Sequence, residues 1–468
     1  VLSALAVAVA VALLALTLAR AGRAWPREAH LSYVEGIWIS MAIDANHGTF
    51  YRPMEGPLGY GGTRYFPLFF TLHAGLMRAG LGPVAAGYAL SAASVALLLA
   101  GMATLLLRLG VGPLLTTAAA AVALSCQPVQ MALLGIRGDG LAAALAVCGL
   151  AATLSPGRTM AAAALFALAF AAKPTSVYAP AAAMLALALG DRARDSWRLA
   201  LLVLAGAMLV LLGMQLASDG RALTTIAASA GGGAGVASAL TAPLSFARIV
   251  RRVPESAFFI QLAAAVLMAR LARPAHVGEA ALLLCLASTV AIYASPATVE
   301  NHLIDLSVLA VIVVSSLAAS RSDWTPGVLA VLIVGGLSAA ASASWRLTTV
   351  DQLDARSVRH AVLAEVGAAR QRMLTDQPML SAAAGAQPYL LDPYQLSVRL
   401  GRDPRAIDRM VADLERRAFD VVVFEHESLD LVTVEIFPGE TGRRVRSALL
   451  ANYRLDTTVE GRAVYRPR

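Results

Sequence analysis

Lysine is almost missing from this 468-residue chain: Lys173 stands alone, and every other basic side chain except histidine is arginine. Charged residues of all kinds make up only 15% and aromatics 6%, against 58% hydrophobic residues. A soluble chain carries about 25% charged residues, so the row of soluble domains that the length alone suggests is excluded. Cysteine is scarce as well. Cys126, Cys148 and Cys285 are odd in number and lie inside apolar runs, which excludes a disulfide framework. No basic run is interleaved with aromatics, so the net charge of +8 does not point to nucleic acid. Arginine in place of lysine, with abundant alanine, fits a GC-rich and hence bacterial genome.

What the chain does have is one apolar run after another. Blocks of roughly 18–25 such residues are long enough to cross a hydrocarbon core about 30 Å thick. Eleven candidate spans fall at 1–19, 84–107, 113–135, 140–155, 159–172, 175–190, 199–217, 257–271, 277–295, 303–320 and 325–345. The pair at 159–172 and 175–190 also reads as one long helix broken at Lys173-Pro174, because proline removes a donor and disfavours helix before it. The expected fold is mainly α: a polytopic transmembrane bundle over 1–345, then a small α/β domain over 346–468. In that domain helical spacing covers Ala361 to Met373 and Ala406 to Arg417. Val421 to Phe424 reads as a buried strand, Thr441 to Tyr453 as a helix and Arg462 to Tyr465 as an edge strand.

Two long loops interrupt the bundle. Residues 20–83 are polar and aromatic, with a short apolar piece from Phe66 to Met77 that is too brief to span. Residues 218–256 carry Gly231-Gly232-Gly233 and the arginines Arg248, Arg251 and Arg252. If the spans alternate, both loops share one face with Arg137, Asp139, Lys173, Glu300, His302 and the C-terminal domain. Arg192, Arg194, Arg198, Arg270, Arg273 and Arg321 favour placing the opposite face in the cytoplasm. Arg20, Arg23 and Arg27 vote the other way. The balance assigns the polar face to the outside of the cell membrane. The first span also reads as a signal peptide, against which stands its lack of a basic leading segment.

A charged side chain at membrane depth costs roughly 2.5–3.5 kcal/mol on insertion scales, so each one is a functional candidate. Glu35 is a general base, a cation ligand or a helix N-terminal acid. Asp44, nine positions on, points to the opposite helix face and reads as structural. Arg137 and Asp139 bracket a glycine between two spans, either as a phosphate grip or as a plain interfacial turn. Lys173 needs an anion, a carbonyl or a route to water. Arg248, Arg251 and Arg252 suit a phosphate leaving group or anionic headgroups. Glu300-Asn301-His302 places several polar groups at a helix mouth, for capping or for sugar hydroxyls.

The order of these features resembles the GT-C fold of polytopic glycosyltransferases that use polyprenyl-phosphate-linked sugars. It is most similar to bacterial relatives of protein O-mannosyltransferases and lipid A aminoarabinose transferases. The matching pieces are Glu35-Gly36, Gly48 to Tyr51 and Arg64-Tyr65-Phe66-Pro67-Leu68 in the first loop. Arg137-Gly138-Asp139, Lys173-Pro174-Thr175, Asn301 and the tail from Pro388 through Tyr465 follow in order. Many members carry an Asp-Glu pair where this chain has Val34-Glu35, so one carboxylate is missing and no clear ligand set for a divalent cation remains.

The resemblance implies inverting transfer of a sugar to an extracytoplasmic lipid, glycan or protein. Glu35 would be the catalytic base. Arg137, Asp139, Lys173, Arg248, Arg251, Arg252, Glu300, Asn301, His302 and Tyr65 would bind substrate, and no organic cofactor is implied. Two rivals compete: a transporter or flippase of lipid-linked saccharide, which accounts for the cations but lacks an inverted repeat, and a non-catalytic assembly protein.

Overall fold

Helices dominate, as alanine- and leucine-rich runs require. The structure is a computed structural model that describes residues 1–230, 234–270, 276–296, 298–320, 322–367, 372–424, 437 and 439–468. Gly231, Gly232, Gly233, Arg273 and Arg321 lie outside the described residues, as does the Arg270 side chain. Among the described residues, five helical stretches are long and apolar enough to cross a membrane: Leu2–Arg27, Pro83–Arg108, Ala193–Ala217, Glu300–Ser320 and Thr325–Val366. A sixth arises if Pro113–Ser125 and Gln127–Leu134, bent by 69°, form one span. The expected count of eleven is met in number only by adding shorter apolar helices, among them Asp139–Thr153, Thr159–Ala172 and Val277–Ile292. The chain is a helical membrane protein.

Glu300–Ser320 is the axis of the bundle, with 83% of its apolar window buried, whereas only 11% is buried in Ala193–Ala217. A leucine-rich surface that exposed is cheap only against lipid. The two long loops contain helices too short to span. The first span continues to Arg27, and the first loop then forms Tyr33–Asn46 and Pro67–Arg78. The second loop forms Arg221–Ser229 and Val236–Val250.

Near the C-terminus a four-stranded sheet has the order β1-β2-β4-β3: β1 is Met373–Thr375, β2 Val421–Phe424, β3 Tyr453–Val459 and β4 Arg462–Pro467. β1 runs parallel to β2, and β4 is antiparallel to both β2 and β3. β4 is therefore interior, not the expected edge; Ala463, Val464 and Tyr465 are buried between its two neighbours. The helix expected over 361–373 lies earlier, at Ala355–Val366, and Met373 begins a strand instead.

The sheet domain and the first loop are stitched together. The Tyr60 amide donates to the Tyr389 carbonyl at 2.7 Å, and the Leu391 amide donates to the Tyr60 carbonyl at 3.0 Å. Arg52, buried, donates to both Asp44 carboxylate oxygens at 2.5 and 2.6 Å and to the Pro388 carbonyl at 2.5 Å. Gln387 adds a bond to Asp44 at 2.8 Å. Asp44 is thus structural, as its helix face predicts. Gly36 meets the helix Pro378–Ala383 so closely that a Cβ there would lie 2.3 Å from the Met379 nitrogen.

Candidate active site

A cavity of about 320 Å³ opens where the first loop, the bundle and the C-terminal domain meet. Its lining includes Tyr33, Trp38, Arg64 and Tyr65 from the first loop and Arg137, Gly138, Asp139, Lys173, Asn301 and His302 from the bundle. Ile226 and Ala230 come from the second loop, and Asp392, Tyr394 and Gln395 from the C-terminal domain. Polar residues hundreds of positions apart in sequence therefore converge on one cavity.

Local backbone chemistry sets the cationic wall. Lys173 ends the helix Thr159–Ala172 in an extended conformation, φ −159° and ψ 116°, as a residue before proline prefers. A 3₁₀ turn at Pro174–Val177 restarts the chain. The lysine Nζ lies 2.5 Å from Asp139 Oδ1, and Asn301 Nδ2 donates to Asp139 Oδ2 at 3.1 Å. Two buried atoms beside this cluster, Asn301 Oδ1 and His302 Nδ1, have no hydrogen-bond partner among the described residues. Unpaired buried polar atoms are costly, and these belong to residues that line the cavity. Gly138 is needed for approach: a Cβ would lie 3.0 Å from the Trp38 ring.

Aromatic side chains close another part of the wall. Trp38 and Tyr65 have ring centroids 4.4 Å apart, and Trp38 meets Phe69 edge-on at 5.2 Å. Arg64 reaches the Ser295 hydroxyl at 3.5 Å.

Glu35 does not line the cavity. It is 0% exposed and pairs with Arg137 through Oε1. Its Oε2 accepts from the Ser32 amide at 2.8 Å and the Ser32 hydroxyl at 2.6 Å, completing a capping box. Burial pushes its carboxyl up, but Arg137 and Ser32 outweigh that and hold it below the usual value. In this arrangement Glu35 is an anion with both oxygens engaged, one by Arg137 and one by Ser32.

Asp392 has the opposite character. It is buried on the cavity wall, and burial pushes its carboxyl up to about 6, against the lowering effect of the Gln395 amide and Arg64. Sequence reasoning missed it, since an aspartate before proline reads as a helix cap. It is one: Oδ1 accepts from the Gln395 amide at 3.1 Å.

Other expected residues lie elsewhere. Arg248, Arg251 and Arg252 are exposed and outside the cavity lining. Glu300 is also outside it and faces Arg252 at 3.6 Å. Among the described residues no group of three or more His, Cys, Asp or Glu is placed to hold a metal ion.

No family model matches the sequence, and no curated protein sequence matches it. Solved structures do. The crystal structure of ArnT from Cupriavidus metallidurans bound to undecaprenyl phosphate superposes with a TM-score of 0.55 at 13% identity, covering 97% of each chain. The archaeal oligosaccharyltransferase AglB from Archaeoglobus fulgidus, in complex with an inhibitory peptide and a dolichol-phosphate, gives 0.54 at 12% identity. That match covers 98% of this chain and 74% of AglB. This chain has the fold of the GT-C glycosyltransferases to which it is similar.

Proposed function

We propose that this protein is a membrane glycosyltransferase that moves a sugar from a polyprenyl-phosphate-linked donor to a hydroxyl acceptor on the outer face of the membrane. One observation carries the reading: Arg64, Arg137 and Lys173 line the same cavity as the unpartnered Asn301 Oδ1 and His302 Nδ1. Three cations suit a phosphate, and free donor and acceptor atoms beside them suit sugar hydroxyls. The lipid phosphates bound in the ArnT and AglB structures support the same assignment.

In this reading the eleven spans expected from the sequence cross the bilayer, and the sheet domain sits outside the cell over the cavity. Attack on the anomeric carbon inverts it. As the sugar–phosphate bond breaks, negative charge grows on the phosphate, where Arg137 and Lys173, already in place, stabilise it. Glu35, which holds Arg137 in position, is the carboxylate that takes the proton from the acceptor hydroxyl. Asp139 and Asn301 orient Lys173, and Tyr65 packs against the sugar. Arg248, Arg251 and Arg252 meet lipid headgroups at the rim.

The test is release of radiolabelled sugar from a panel of undecaprenyl-phosphate-linked sugars by the purified protein in lipid, beside Lys173→Ala. Release by the wild type and its loss in the variant support the reading. Wild-type protein that consumes no donor contradicts it.

A further inference from the structure

The C-terminal helix Pro393–Leu400 brings to the cavity a polar side chain that the account above leaves unused. Resting on the transferase reading, we propose that Gln395 is a specificity-determining residue whose side-chain amide hydrogen-bonds a hydroxyl of a neutral donor sugar. Gln395 lines the cavity yet is only 3% exposed, and its buried Nε2 has no hydrogen-bond partner among the described residues. A primary amide offers two N–H donors and an acceptor oxygen, and a buried donor left unmet is costly. The last torsion of the side chain is soft, so either amide atom can turn toward an oxygen that enters the cavity and remove that cost.

The amide is withheld from its ordinary local duty. Asp392-Pro393-Tyr394-Gln395 has the spacing of a capping box, in which the fourth residue reaches back to the backbone N–H of the cap. One half of the box is made: the Gln395 backbone amide donates to Asp392 Oδ1 at 3.1 Å. The return bond from the Gln395 side chain is absent among the described residues. Glu35, at the same position of Tyr33–Asn46, completes both halves with Ser32. The start of the Gln395 helix is also fixed in place, because the segment leading to it is fastened to the first loop through Arg52 to Pro388, Tyr60 to Tyr389 and Leu391 to Tyr60.

The other unmet groups on the wall define the ligand. Asn301 Oδ1 and His302 Nδ1 are likewise buried without partners. With the Gln395 amide they form a set of donors and acceptors that carries no fixed charge, and a sugar hydroxyl both donates and accepts. The carboxylates are already matched. Asp139 is held by Lys173 and Glu35 by Arg137, and Asp392 accepts from the Gln395 and Tyr394 amides with Arg64 facing it. The lipid phosphate takes up the cations, so a charged sugar would find no unmatched partner, whereas a neutral one satisfies Gln395, Asn301 and His302 together.

The experiment compares full-length wild type and Gln395→Met in phospholipid nanodiscs. Methionine keeps the length of the side chain and removes both amide atoms. Because the amide has no partner in the fold, Gln395→Met should melt at or above the wild-type temperature; a clearly lower melt shows a structural amide and overturns the inference. Turnover is followed on undecaprenyl-phosphate-linked glucose, mannose and galactose, an amino sugar and a uronic acid, and on the monodeoxy analogues of the sugar consumed fastest. The wild type should consume a neutral sugar fastest and lose about 10- to 100-fold in kcat/KM on one monodeoxy analogue. Gln395→Met should shrink that factor to within about twofold, leave the losses on the other analogues as they are, and bind undecaprenyl phosphate within about twofold of wild type. A folded Gln395→Met that slows every sugar by one factor, or none, overturns the inference and leaves the transferase reading standing. So does a wild type that consumes a charged sugar fastest. A wild type that binds no lipid phosphate and consumes no donor removes the transferase reading and this inference with it.

Discussion

Lys173 Nζ lies 2.5 Å from Asp139 Oδ1, so the only lysine in the chain is held against a carboxylate on the wall of the cavity. The pair is half-screened: the side chains are 15% and 11% exposed, and a phosphate entering the cavity would share the ammonium with Asp139. Replacing Lys173 by Met should weaken undecaprenyl phosphate binding about 10- to 100-fold, the worth of one hydrogen bond to a charged group. Arginine at the position should recover most of the affinity. Titration of labelled lipid in nanodiscs measures both.

The Asp44–Arg52 pair should matter to folding and not to chemistry. Both side chains are buried, and Arg52 also ties down the Pro388 carbonyl. Removing one partner of such a pair costs about 3–5 kcal/mol because the other charge stays buried. Asp44→Ala should lower the melting temperature markedly and open the junction near Gln387 to protease. A variant that melts like wild type would show that the seam does not depend on this pair.

Gly36 should tolerate no side chain. A Cβ there would sit 2.3 Å from the Met379 backbone nitrogen, an atom that cannot swing away. Gly36→Ala should separate Tyr33–Asn46 from Pro378–Ala383, disturb the nearby Glu35–Arg137 pair and reduce both stability and donor turnover. Gly22, with open space around its Cβ position, is the control and should accept alanine without loss.

Stability should depend on pH with opposite signs at two carboxylates. The folded-state pKa of Glu35 is lowered, so its contribution is present above the unfolded value near 4.5 and is lost as pH falls further. Asp392 is raised to about 6 from 3.8, so the fold prefers its neutral form and loses stability as pH rises between those values. Asp392→Asn removes the buried charge and keeps the cap. It should therefore melt higher than wild type at pH 7.5, by about 1–3 kcal/mol in stability, and match it at pH 4. Melting curves at the two pH values check the sign; a variant less stable at pH 7.5 would contradict it.

Much of the cationic wall is legible in the sequence, for a physical reason. Arg137, Asp139, Lys173, Asn301 and His302 interrupt apolar runs, where a polar group is expensive and therefore conspicuous. The partners of these residues are not legible. That Glu35 belongs to Arg137 and Asp139 to Lys173 depends on how helices pack, which span counting does not determine. Asp392 sits in a polar stretch where an aspartate is unremarkable, and the seam of Arg52 with Pro388 and of Tyr60 with Tyr389 and Leu391 holds its segment at the cavity. The helix Arg221–Ser229 was hidden because it lies outside the long apolar runs. The interior place of β4 was hidden because a short buried strand shows the same composition at an edge or at the centre.

The claim that this cavity receives a lipid phosphate is tested most directly by comparing two ligands, undecaprenyl phosphate and undecaprenol, on the wild-type protein and on Lys173→Met in nanodiscs. The account predicts that the wild type binds the phosphate at least about tenfold more tightly than the alcohol and that Lys173→Met erases most of that difference. Equal binding of the two lipids, or a preference that survives the loss of Lys173, would contradict it.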